Sequence, residues 1–163
     1  MFAILIPPSV KVLAQLLRIG DESRAVRALT PVWEDLVATA APEEHRTVSL
    51  LGWLFRKPRV QSRRQRIEIS DAVGVISQYA EPLPSEIDEM IESNVRNDDQ
   101  EEVCVAVELL LAAKHLAAVG GPKNAGTPRS AARDADIDSL ARVWEQARNF
   151  AGGASLQAAS DRG

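Results

Sequence analysis

Cysteine occurs once, at Cys104, and histidine twice, at His45 and His115. A single thiol closes no internal disulfide, and two widely separated histidines with one cysteine lack the spacing of a zinc site. A disulfide-stapled scaffold and a zinc finger are excluded, and no metal or cofactor is expected. Aromatic residues make up only 4 % of the chain, and neither the aromatic signature of a ribonucleoprotein sheet nor a GXXG clamp is present. Long apolar runs are missing too. Val103 to Val119 comes nearest, but Glu108, Lys114 and His115 interrupt it, and it falls short of the ~20 residues that span a bilayer. The opening Met1 to Pro8 has no basic segment of the kind that starts a signal peptide. A soluble cytoplasmic protein without a transmembrane segment is the expectation. Glycine pairs at 120–121 and 152–153 follow apolar helical patterns instead of preceding them, so they read as helix stops and not as phosphate cradles.

What is abundant favours helices. Alanine, leucine, valine, glutamate and arginine dominate, with 45 % apolar and 26 % charged residues, the balance of a globular domain rich in helix formers. Pro7-Pro8-Ser9 followed by Val10, Leu13, Leu16 and Leu17 predicts a capped amphipathic helix that stops at Gly20. Asp21 opens a second, and Thr30-Pro31 restarts the chain as a third, with Val32, Trp33, Leu36 and Val37 as its apolar stripe. Another is expected from Pro42 to about Arg56, carrying Trp53 and Phe55. Ile67, Val73, Ile76 and Ala80 outline the next. Ser85 and Asp88 have the form of a capping box, and Asp99 with Glu102 repeats it ahead of an apolar helix at about 100–119.

These segments predict an all-α bundle of six to eight helices around the apolar helix at 100–119. Residues 1–119 form the bundle domain in this reading, 120–135 a flexible linker, 136–151 a C-terminal amphipathic helix and 152–163 a disordered tail. The C-terminal helix carries Ile137, Leu140 and Trp144 on one face, at the spacing that docks into a partner's groove.

Charge is sorted along the chain. Arg56, Lys57, Arg59, Arg63, Arg64 and Arg66 fall within eleven residues that contain no acid; the chain is net −4 and this run contributes +6, so the remainder is net −10. Residues 81–102 hold nine carboxylates, Glu86, Glu89 and Glu92 among them, against one arginine. Such polarity concerns partners more than fold. A cationic run suits a nucleic-acid backbone or another polyanion: four phosphate contacts would weaken binding about 150-fold between ~50 and ~200 mM salt. The acidic stretch suits a protein surface, or the basic run of a second copy, which would make a homo-oligomer of opposite patches. Several of its members also sit at helix starts, where carboxylates are locally favoured.

No catalytic constellation emerges. Asp134, Asp136, Asp138 and Glu145 imitate calcium-loop spacing, but Ser139 stands where the turn needs glycine. His115 lies seven residues after Glu108 on one helical face, an arrangement expected to be a hydrogen-bonded core histidine before an acid–base pair. The sequence therefore predicts a non-enzymatic helical binding protein that contacts a nucleic-acid backbone, or serves a nucleoprotein assembly, through residues 56–66. The alternative is a protein–protein adaptor or inhibitor acting through the acidic 81–102 surface or the helix at 136–151.

Overall fold

The computed structural model describes residues 8–40, 58–119 and 136–160, with side-chain detail over 20–40, 58–118 and 136–153. Five α-helices and one 3₁₀ turn account for nearly all of it, and no strand occurs among the described residues. They are α1 (Pro8–Ala40), α2 (Pro58–Ile76), the 3₁₀ turn Ser77–Tyr79, α3 (Ser85–Asn94), α4 (Asn97–Val119) and α5 (Ile137–Ser160). The protein is all-α. The helix expected from Pro42, with Trp53 and Phe55, and the linker expected at 120–135 lie outside the described residues.

Where the sequence expects three helices up to residue 40, the structure has one. Helix α1 runs unbroken through Gly20 and Pro31. Glycine costs about 1 kcal/mol and proline about 3 kcal/mol in a helix interior, and both penalties are local. The helix instead follows its buried stripe, Val26, Leu29, Val32, Leu36 and Val37. Next to Pro31, the Thr30 hydroxyl donates to the Val26 carbonyl at 2.7 Å. Helix α5 likewise continues through Gly152-Gly153 to Ser160, so the expected stop there, and the expected disorder of 154–160, give way to helix.

Polar pairs fix the directions of the helices. Gln65 Nε2 donates to Thr30 Oγ1 at 3.3 Å and Trp33 Nε1 donates to Glu68 Oε2 at 2.6 Å, both across thirty-five positions. A constant offset means that α1 and α2 run in the same sense. On α4 and α5, Asp99 meets Arg142 and, further along both helices, Lys114 Nζ donates to the Ala151 carbonyl at 2.9 Å. These two also run in the same sense. Helix α3 is the return limb. Its Asp88 faces Cys104, and its Glu92 carbonyl accepts from Gln100, so the partner numbers move in opposite directions and α3 lies antiparallel to α4.

The core gathers Leu29, Val32 and Leu36 of α1, Ile69 and Ile76 of α2, Ile91 of α3, Val103, Val107 and Leu109 of α4, and Leu140 and Trp144 of α5. On α4 every residue from 105 to 110 is buried. Trp144 is 0 % exposed and Leu140 1 %, with Ile137 half-buried beside them. This corrects the reading of Ile137, Leu140 and Trp144 as a partner-docking stripe: their apolar face is already covered by α1 and α4. Ring burial at Trp144 alone is large enough to decide the matter, since aromatic side chains dominate both core and interface energetics.

One carboxylate locks α5 to α1. Asp35 accepts from Trp144 Nε1 at 2.8 Å, from Arg148 Nε at 2.7 Å and from Arg148 Nη2 at 2.8 Å. The guanidinium fork matches the carboxylate in the bidentate geometry that makes such pairs strong. Both expected capping boxes are absent. Helix α3 is capped by Pro84 with no side-chain bond, and Asp88 accepts from the Cys104 thiol instead. Helix α4 begins at Asn97, two residues before Asp99, which together with Glu102 pairs with Arg142.

Candidate interaction surface

The basic run enters α2 at its first turn. Pro58 starts the helix, as proline does where no N–H partner is needed, and the residues after it are helical from Arg59 onward. The face turned to α1 carries Gln61, Gln65, Ile69, Ala72, Val73 and Ile76, all buried. This assigns the outer face to Arg59, Val60, Arg63 and Ile67, which are exposed. Ile67, expected on the apolar face from its spacing to Val73 and Ile76, is 55 % exposed, and Val60 is 57 % exposed. Of the three large hydrophobic residues exposed among the described residues, these two flank Arg63; the third, Val75, lies further along the same helix.

The six cations of the run thus part company. Arg64 donates through Nε to Glu68 Oε1 one turn on, and Glu68 in turn holds Trp33. Arg66 pairs with Asp138 of α5 at 2.6 Å, and that hydrogen bond raises its already high pKa. Both are part of the scaffold and not of a free cationic surface, which corrects their assignment to nucleic-acid contact. Arg59 and Arg63 form no ion pair with any described residue and project from the outer face. Arg56 and Lys57 lie outside the described residues. The i,i+4 spacing of Arg64 and Glu68 is a signal the sequence does carry; the partner of Arg66 is seventy-two positions away and leaves no local trace.

The acidic stretch divides in the same way. Asp99 and Glu102 are bound to Arg142, and Asp88 faces Cys104. Glu86, Glu89 and Glu92 are exposed on α3 with no ion pair among the described residues, although Glu86 stands in the first helical turn, where its charge is favoured in any case. Met90 is half-buried and packs against the core.

Chemistry elsewhere is sparse. Asp136 caps α5, its Oδ2 accepting from the Ser139 amide at 3.1 Å and hydroxyl at 3.0 Å, and these bonds hold its carboxyl below the usual range. With Asp138 engaged by Arg66, the calcium-like spacing resolves into a helix cap and a salt bridge. No group of three His, Cys, Asp or Glu side chains among the described residues is placed to hold a metal ion. His115 is exposed while Glu108 is buried, so His115 is not the core histidine expected from its helix. Burial, followed by the nearby Asp88, pushes the Cys104 thiol up to about 11, which suppresses the thiolate that nucleophilic work requires. A cleft of about 330 Å³ opens between α1, α4 and α5, lined by Asp35, Thr39, Leu110, Lys114 and Arg148 among others. Arg148 is occupied there by Asp35 and Lys114 by the Ala151 carbonyl. No helix among the described residues is long and apolar enough to cross a membrane.

Residues 18–149, most of the chain, match the model of DUF6545, a family of unknown function. The chain belongs to that family. No curated protein and no solved structure matches it. Membership of DUF6545 brings no activity with it, so the functional reading rests on the surface just described.

Proposed function

We propose that the protein is a non-enzymatic helical binding module whose working surface is the outer face of α2, and that this face docks an acidic, partly apolar protein surface. The observation that carries the reading is the company Arg59 and Arg63 keep. They have no ion partner among the described residues and are interleaved with Val60 and Ile67, two exposed aliphatic side chains. A phosphate backbone has little use for exposed valine and isoleucine, because its affinity comes from cation contacts and counterion release. A protein partner gains from both, burying the aliphatic pair while its carboxylates meet the arginines. Helix α4 acts in this reading as the central strut of the bundle, supported by its unbroken buried stretch from 105 to 110.

The competing reading is a nucleic-acid backbone, or a place in a nucleoprotein assembly. It draws on Arg56 and Lys57, which precede α2 and extend the charge of Arg59 and Arg63 in the sequence. Four phosphate contacts would give a salt slope of about −3.6.

One titration separates the two. The probes are an amphipathic Glu/Leu helical peptide and an unrelated single-stranded oligonucleotide of similar charge. Each is titrated into wild type, Arg59→Glu/Arg63→Glu and Val60→Ser/Ile67→Ser. The expected result is tighter binding of the peptide, loss of that binding in the arginine variant and severalfold weakening in the aliphatic variant. Tighter oligonucleotide binding that ignores Val60→Ser/Ile67→Ser would replace the protein-docking reading with the polyanion one. No binding of either probe would remove both.

A further inference from the structure

The surface that α2 fits is present on the chain itself. Helix α2 packs on α1, α4 and α5, and α3 packs on α4 and α5, and neither Arg59 nor Arg63 forms an ion pair with an acid of its own molecule among the described residues. Two unsatisfied patches of opposite sign therefore sit on different elements. Their spacings differ by a single residue's rise. Arg59 and Arg63 are one turn apart, ~6 Å along the helix, and Glu86 and Glu89 are ~4.5 Å apart, both by the rise of 1.5 Å per residue. Exposed Val60 and Ile67 lie beside the arginines.

We propose that a second copy of this chain lays the outer face of its α3 along the outer face of α2, with Glu86 and Glu89 meeting Arg63 and Arg59. This rests on the reading of α2 as a docking face and names its occupant. The two patches differ, so the contact is heterologous: each molecule keeps one free patch of each kind, and association builds a ring or an open chain, not a closed pair. A single helix on a single helix is a small interface, well below the ~800 Å² per partner of a stable complex. Assembly is accordingly weak, concentration-dependent and sensitive to salt, because exposed ion pairs are screened.

Sedimentation velocity across a concentration series, at about 50 and about 300 mM salt, tests the contact, the screening length falling from roughly 14 Å to roughly 6 Å. Wild type is expected to gain mass with concentration at low salt and to lose that gain at high salt. Arg59→Glu/Arg63→Glu and Glu86→Arg/Glu89→Arg, both changes at exposed positions, are each expected to weaken association at least tenfold. An equimolar mixture of the two variants is expected to restore it, since each then offers the charges the other lacks. Monomeric wild type throughout, or unchanged association of Glu86→Arg/Glu89→Arg, overturns the proposal. Titrating the same samples with the Glu/Leu peptide separates the two levels of the reading. A wild type that stays monomeric yet binds the peptide loses only the self-docking; one that does neither loses the α2 docking face as well.

Discussion

Replacing Asp35 with alanine removes the one acceptor that joins α1 to α5 through both a tryptophan and an arginine. Trp144 is fully buried, so its indole N–H, now 2.8 Å from Asp35 Oδ2, would be left without a partner at a cost of about 1–3 kcal/mol. Arg148 loses less. Its side chain remains 37 % exposed and already touches Glu145 at 3.3 Å, so water and Glu145 compensate and the lost pair counts for about 1 kcal/mol or less. The sum is about 1–4 kcal/mol, or roughly 2–16 °C in melting temperature for a chain of this size. Asp35→Asn keeps one acceptor for the indole and should lose only about 1 kcal/mol, the charge-assisted part. Urea unfolding followed by circular dichroism measures all three proteins, and a double-mutant cycle of Asp35→Ala with Trp144→Phe isolates the indole bond. An Asp35→Ala protein within about 0.5 kcal/mol of wild type, the scatter of an ordinary surface change, would refute the idea that this carboxylate holds α5 in place.

Three further outcomes follow from the same packing. Gly74, Gly152 and Gly153 are helical, and an added Cβ meets nothing within 4 Å at any of them, so each change to alanine should stabilise by about 0.5–1 kcal/mol in urea unfolding. Gln61 Nε2 and Gln65 Oε1 are buried without partners at the α1–α2 contact; Gln61→Met should be neutral or stabilising by up to about 1 kcal/mol, because an unmade buried hydrogen bond disappears with the amide. The Cys104 thiol, pushed up to about 11 from 9.0, should alkylate tens of times more slowly in the folded protein than in the unfolded chain near pH 8, and Asp88→Asn should recover part of that rate. Below pH 9 the thiol is protonated in both states, and between 9 and 11 only the folded state keeps its proton. Its contribution is therefore complete below pH 9 and is lost as pH rises through the folded value.

Much of the architecture is legible in the sequence because burial repeats with helical period. The stripe of Ile137, Leu140, Trp144 and Ala147 announces α5, and Val32, Leu36 and Val37 announce the second half of α1. Punctuation misleads where a local penalty competes with a buried face. Gly20, Pro31 and Gly152-Gly153 each read as a boundary, and each lies within a helix. Caps mislead for a related reason: Asp88 and Asp99 stand where a capping box needs an acid, but a thiol and an arginine on other helices claim them. The charge cluster is legible as a cluster and not as a surface. Which of its arginines face solvent depends on Asp138 and on how α2 packs against α1, and both are properties of the folded chain alone.

The proposed docking divides labour within one helix: Arg59 and Arg63 would serve an outside partner, while Arg64 and Arg66 serve the fold. Measuring unfolding stability and Glu/Leu-peptide binding side by side for Arg59→Glu/Arg63→Glu and Arg64→Glu/Arg66→Glu tests it most directly. The first variant should keep its stability to within about 0.5 kcal/mol and lose binding. The second should lose about 1–3 kcal/mol as its partners Glu68 and Asp138 become like-charged neighbours. Equal loss of stability in both, or binding that survives Arg59→Glu/Arg63→Glu, would contradict it.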